Sequence, residues 1–434
     1  MEESVKFSEK LITIVMKFVN MKGVIALKDG IMYTLPLTLV GSIFLLLAQI
    51  PYKPFNDWVT SFLGESWTDP LWQVFGSTFS IIAIIACMGM AYIYARNDGH
   101  EPFAASVMSF VAFLIINKSS LVTAKGETVS GIIDKNWTGG QGMVTAIIVG
   151  LIVGAIYSWF LEKKFVINMP AGVPQGVANQ FTALIPAAVI FTGSMIIYTF
   201  FKFVMNTTFI EVIFKVLQTP LQGATDSLPG AIMAGALIPF FWWFGVHGGA
   251  IVGGVMGPLW GANGLANQAI LDKGQELTIA NGAHIVTQQF VDQFLTVTGS
   301  GLTIGLVIAM ILVGKSAQSK TLGKIALTPT LFNINEPVIF GFPIVMNPFM
   351  FIPFVAVPTI SSIITYFAFK IGFLHPFSAV SVPWTTPPII SGFILQGWQG
   401  ALWQLIIIVI SVIVYVPFLK KQDSINLKQE QEVV

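Results

Sequence analysis

Charge is what this chain has least of. Only 10% of its 434 residues are Asp, Glu, Lys or Arg, against roughly 25% in soluble domains. Cysteine is rarer still. The single thiol, Cys87, sits in the run IIACMGM, so an internal disulfide is excluded and a small core residue is the expected role. Three chemical signatures are missing: a Walker loop, Cys/His spacing suited to a metal, and a nucleophile elbow pairing serine with histidine. ATP hydrolysis in this chain, a bound metal and a cofactor are therefore not expected. A net charge of +1 without a basic aromatic cluster gives no case for nucleic acid. Thirty residues carrying five lysines precede the first clean apolar run, which is not the pattern of a cleavable signal peptide.

Apolar residues are abundant, at 54% of the chain with a mean hydropathy of +0.78. They are gathered into long runs: Ile31–Ile50, Ser77–Ala95, Met143–Phe160, Phe181–Phe201, Thr303–Val313 with its flanks, Phe349–Phe369 and Ala401–Leu419. A membrane span needs about 20 mostly apolar residues, and runs this long fit only helices in lipid. The expected fold is an all-α polytopic membrane protein with about 8–10 transmembrane helices, together with re-entrant hairpins and interfacial amphipathic helices.

Charge patterning divides and orients this chain. Within residues 1–30, Lys6, Lys10, Lys17 and Lys28 fall on one helical stripe, suited to a cytoplasmic interfacial helix at an anionic leaflet. Lysines before the first span, at 163–164, at 315–324 and at 420–421 place both termini in the cytoplasm, by the positive-inside rule. Residues 31–204 hold clean spans and read as a scaffold. Residues 205–228 read as an interfacial linker, with Glu211 and Lys215 spaced as an i,i+4 pair. In 229–419 Gly, Pro and aromatic residues interrupt the apolar runs repeatedly. Broken helices near the midplane are where transporters hold substrate, so this half is expected to carry the function. Residues 420–434 form a cytoplasmic tail.

The candidate site residues lie in that second half. LFNINEPVIFGFPIVMNP, residues 331–348, sets Glu336 among apolar side chains with Pro337, Pro343 and Pro348. An unpaired carboxylate is costly in lipid, so Glu336 must face a wet cavity, pair or take up a proton. With Asn333 and Asn335 beside it, donors and acceptors are both present, as a neutral polyhydroxylated ligand requires. A structural acid capping broken helix ends is the plainer alternative. His247, in FWWFGVHGG, is flanked by glycines and tryptophans. A lone histidine there is more often a satisfied core residue, but the opened backbone favours function. Trp384, in SVPWTTPP, lies in another irregular segment and has a face that suits a sugar ring, although tryptophans commonly mark membrane interfaces.

At these residues the chain resembles enzyme IIC of the phosphoenolpyruvate-dependent sugar phosphotransferase system, lactose/cellobiose/chitobiose family. FNINEPVIFGFPIVMNP carries the resemblance most specifically. It is supported by FWWFGVHGGAIVGGVMGPLW, VPWTTPP and NMPAGVPQGVANQFTALIP. The resemblance implies a homodimer joined through its N-terminal half, with a disaccharide held between re-entrant hairpins of the C-terminal half. A separate phosphorylated enzyme IIB would supply the phosphoryl group from a phosphocysteine, which Cys87 cannot be. It also implies that Glu336 bonds sugar hydroxyls with Asn335 and Asn333 in support. His247 would contact the hydroxyl that receives phosphate and is a possible general base, and Trp384 would pack on the sugar. Cellobiose is the first expectation, with chitobiose and lactose next. A proton-coupled secondary sugar transporter using Glu336 is the alternative. A membrane-embedded hydrolase would need Asp226 or Asp292 as a second acid.

Overall fold

The computed structural model describes residues 20–48, 53–122, 126–170, 172–342 and 344–432, with Thr13, Lys17 and Phe18. Lys6 and Lys10 of the lysine stripe expected over residues 1–30 lie outside the described residues, as does Pro343. The chain forms two compact units that divide between Gln222 and Gly223.

The first unit contains α1 (Lys22–Ile31), α2 (Leu35–Ala48), α3 (Ile82–Asn97), α4 (Pro102–Ile115), α5 (Met143–Glu162) and α6 (Gln175–Phe203). A short antiparallel pair, β1 (Ser120–Val122) with β2 (Thr128–Ser130), follows α4 and is registered Ser120 to Ser130. Its helices pack through small residues, which let backbones approach without a hydrophobic drive in lipid. A methyl group on Gly150 of α5 would stand 2.6 Å from the Cys87 carbonyl of α3, and one on Gly89 would stand 2.4 Å from the Gly30 carbonyl of α1. Cys87 is fully buried there, with its Sγ 3.5 Å from the Ser109 carbonyl. Past α6, Glu211 does not pair with Lys215. It closes a capping box with Thr208 and takes an ion pair from Lys118 instead.

The second unit contains α7 (Leu228–Trp243), α8 (Gly248–Asp272), α9 (Ile304–Val313), α10 (Ala317–Leu331), α11 (Glu336–Gly341), α12 (Pro348–Lys370) and α13 (Ile390–Glu432). Phe290, Phe294, Phe369 and Trp260 lie at the centre of its core, each no more than 1% exposed. The proline-rich stretch divides as its composition dictates. Pro337 and Pro348 occupy the first turns of α11 and α12, where a missing N–H costs nothing. Gly397, at φ 62° and ψ −149°, breaks α13 near its start. The pieces on either side fold together so closely that a methyl group on Gly392 would meet the Gly400 carbonyl at 2.6 Å. Residues 420–432, read above as a tail, continue α13 as ordered helix.

Among the described residues six helices are long and apolar enough to cross a membrane, or seven if Phe209–Thr225 and Leu228–Trp243 together make one span. Two shorter apolar helices, Pro102–Ile115 and Ile304–Val313, accompany them.

Candidate functional site

The NINEP turn is anchored before it presents anything. Asn333 has a left-handed backbone, at φ 63°, a conformation that asparagine tolerates better than most residues. Its side-chain oxygen accepts the Thr298 amide, and its Nδ2 donates to the carbonyls of Trp384 and Thr386. One amide therefore ties three separate segments together. Asn335 is 3% exposed, and its Nδ2 donates to the Ser300 carbonyl at 2.6 Å and to Thr303 Oγ1 at 2.9 Å. Asn333 spends its oxygen and its Nδ2, and Asn335 its Nδ2, on protein partners, so they position the turn.

Glu336 differs. It opens α11 half-buried, and its Oε2 is fully buried without a protein hydrogen-bond partner. The Nδ2 atoms of its neighbouring asparagines are already committed, which leaves this carboxylate oxygen, with Thr298 Oγ1 on the adjoining turn, as an open acceptor. An unmade bond to a buried charged oxygen costs more than a neutral one, which is the physical case for a ligand donor at this point.

His247 precedes α8 and caps it: its Nδ1 accepts the Ala250 amide at 3.0 Å. An accepting Nδ1 carries no proton, so the neutral ring holds its proton on Nε2, which becomes a donor. The ring packs 4.5 Å, centre to centre, from Trp242, whose other neighbour is Phe340 of α11 at 6.3 Å. Trp243 adds two bonds to the same region, Nε1 to the Asn347 carbonyl at 2.8 Å and its own carbonyl to the Met346 amide at 3.0 Å. The aromatic segment and the NINEP stretch thus form one assembly. Trp384 enters it through its backbone, while its indole is 47% exposed.

The residues that sequence reading missed are those that hold this assembly. Thr298-Gly-Ser-Gly-Leu302 is an unwound turn in which Thr298, Gly299, Gly301 and Leu302 all have positive φ. Its carbonyls are taken from α13: Tyr415 donates to Gly301 at 2.7 Å and Ser411 to Leu302 at 2.6 Å. The spaced glycines were the available signal. On the other flank Gln404 Oε1 accepts the amides of Ile389 and Gly392, and its Nε2 reaches the Gln293 carbonyl at 2.9 Å. Glutamines inside an apolar run carried no comparable cue. Neither acid needed for a hydrolase is available. Asp226 is engaged by His284 Nδ1 and the amides of Ile285 and Val286, and Asp292 by Gln288.

Gly299 tests this anchoring. At φ 89° an added methyl would stand 2.2 Å from Asn335 Cγ, whereas Gly274, at φ 71°, has open space around it. Gly274→Ala should cost only the left-handed strain, about 1–2 kcal/mol. Gly299→Ala should add a packing clash of about 1–3 kcal/mol. Thermal unfolding of the purified variants checks this, and equal shifts in midpoint would count against the packing described.

The comparisons with known proteins identify the family and the fold. Residues 28–358 match the sequence model of the family described as Phosphotransferase system, EIIC. The cellobiose-specific EIIC component of Geobacillus stearothermophilus is 35% identical over 98% of this chain and 95% of its own. The lactose-specific EIICB component of Lacticaseibacillus casei is 31% identical over 94% of this chain but 69% of its own length. Among solved structures, ChbC, the IIC component of the N,N'-diacetylchitobiose-specific phosphotransferase system, superimposes with a TM-score of 0.92 at 35% identity. That match covers 98% of this chain and 99% of ChbC. An all-helical, multi-pass membrane architecture, the anchored NINEP turn and the family match lead to one conclusion: the chain belongs to the EIIC family, the membrane permease components of the sugar phosphotransferase system.

Proposed function

We propose that this EIIC component carries a β-linked disaccharide, cellobiose first and chitobiose or lactose next, across the cytoplasmic membrane as it is phosphorylated. The observation that carries the reading is the buried, unpartnered Oε2 of Glu336 on a turn whose asparagines are already engaged. That oxygen accepts a sugar hydroxyl. Trp384 offers an exposed ring face for the sugar C–H surface. The β-linked substrates in the names of the relatives support this class, and a proton-coupled symporter is not favoured by membership of this family.

The donor is a phosphocysteine on a IIB partner. Fusion of C and B parts in the EIICB relative supports such a partner, and Cys87, fully buried, is no substitute. In the transfer the sugar oxygen bonds phosphorus as the sulfur–phosphorus bond breaks, and the IIB thiolate leaves. Glu336 takes the hydroxyl proton. His247, with its proton on Nε2, donates to the accepting oxygen or the phosphoryl group and so orients them. This replaces the base role expected for the histidine. The protein works as a homodimer through the unit ending at Gln222, with both termini in the cytoplasm. No ATP is consumed in this chain.

Two outcomes follow. Glu336→Gln should weaken disaccharide binding by about ten- to hundredfold, the ~1.5–3 kcal/mol of a hydrogen bond to a charged group. It should do so without altering the unfolding midpoint by more than a few degrees. Unchanged binding, measured calorimetrically, would reduce Glu336 to a structural cap. His247→Gln keeps a side-chain donor and should retain phosphorylation within about tenfold, whereas His247→Leu should lose about a hundredfold or more. Equal loss in both variants would restore the base role.

A further inference from the structure

We propose that lysines at the outer ends of α10 and α13 form the landing surface for the phosphorylated IIB partner. The inference rests on the permease reading above. None of the five site residues is a cation, yet a doubly negative phosphoryl group must approach the carboxylate of Glu336. Positive charge must come from nearby. Lys315, Lys320, Lys324, Lys420, Lys421 and Lys428 are all exposed. Among the described residues none of them has a carboxylate within 4 Å.

The neighbouring acids are engaged by backbone amides and a hydroxyl. Asp423, 4% exposed, accepts the Lys315 amide at 2.7 Å, the Ser316 amide at 3.1 Å and Ser316 Oγ at 2.5 Å. Glu430 accepts the amides of Ala317 and Gln318 at 3.0 and 3.1 Å. Both carboxylates compensate the positive N-terminus of α10, leaving the lysine charge for a partner. The surface also adjoins the site. Gln318 Nε2 donates to the carbonyl of Gly341 at 3.0 Å, and Gly341 ends the short helix that Glu336 begins. At 1.5 Å per residue that helix spans about 8 Å, one Debye length at physiological salt.

A protein partner fits better than lipid headgroups. Lys428 lies nine residues beyond Leu419, the end of the apolar run. Along a helix that is about 13 Å, roughly twice the depth of a headgroup layer. The expected occupant is an acidic face surrounding the phosphocysteine, steered in by charge.

The test uses full-length protein reconstituted in phosphatidylcholine alone and in phosphatidylcholine with phosphatidylglycerol, and a separately purified, phosphorylated cellobiose-type IIB protein. The triple variant Lys320→Glu, Lys324→Glu, Lys428→Glu should raise the apparent KM for phospho-IIB at least tenfold at 50 mM salt in both lipids. At 500 mM salt the gap should narrow, while kcat and equilibrium disaccharide binding stay at wild-type values. The triple glutamine variant should give a smaller rise. An unchanged KM in both variants overturns the proposal. So does a gap seen only with phosphatidylglycerol, which would assign the lysines to headgroups, or a loss of disaccharide binding. Failure of the wild type to phosphorylate any disaccharide would sink the permease reading, and this surface with it.

Discussion

Backbone that leaves the helix at membrane depth must find its hydrogen bonds in side chains, because lipid supplies none. Each buried group left unsatisfied costs several kcal/mol. The second unit is organised around that cost. Carbonyls at 293, 300, 301, 302, 384 and 386 are taken by Gln404, Asn335, Tyr415, Ser411 and Asn333. Those five side chains determine where the irregular segments lie, and so where the candidate sugar site lies. Asn333 matters most, since one amide joins the Thr298 turn to the Trp384 segment.

The site then follows by subtraction. Amides consumed in holding the frame are unavailable to ligand, so Asn333 and Asn335 act through Glu336. The Glu336 carboxylate is left open, as are Thr298 Oγ1 and Trp242 Nε1 nearby, and its half-buried place at the start of a helix suits it to accept from a hydroxyl. His247 obeys the same accounting, because its Nδ1 is taken in capping α8. Helix ends are treated alike where the lysines lie: Asp423 and Glu430 satisfy the start of α10 and the lysines stay exposed.

Much of this was legible in the sequence. Long apolar runs gave the helical membrane class, and glycine, proline and lone polar residues marked the unit in which the candidate site is proposed. Glu336 was found because a carboxylate in apolar surroundings violates composition. The supporting frame was less legible. Ser411 and Tyr415 sit in an apolar run as ordinary helix residues, and only their partners across the fold give them meaning. The Glu211–Lys215 spacing misled for the complementary reason: Lys118, distant in sequence, offered Glu211 a better partner. Residues 420–432 read as a polar tail because the helix end that Asp423 and Glu430 cap lies about a hundred positions upstream.

The central claim is that Asn333 couples the Thr298 turn to the Trp384 segment. Amide hydrogen exchange on Asn333→Ala tests it most directly. Exchange should quicken over both 298–303 and 381–388, while helices of the first unit keep wild-type protection. Unchanged protection in both stretches would contradict the account.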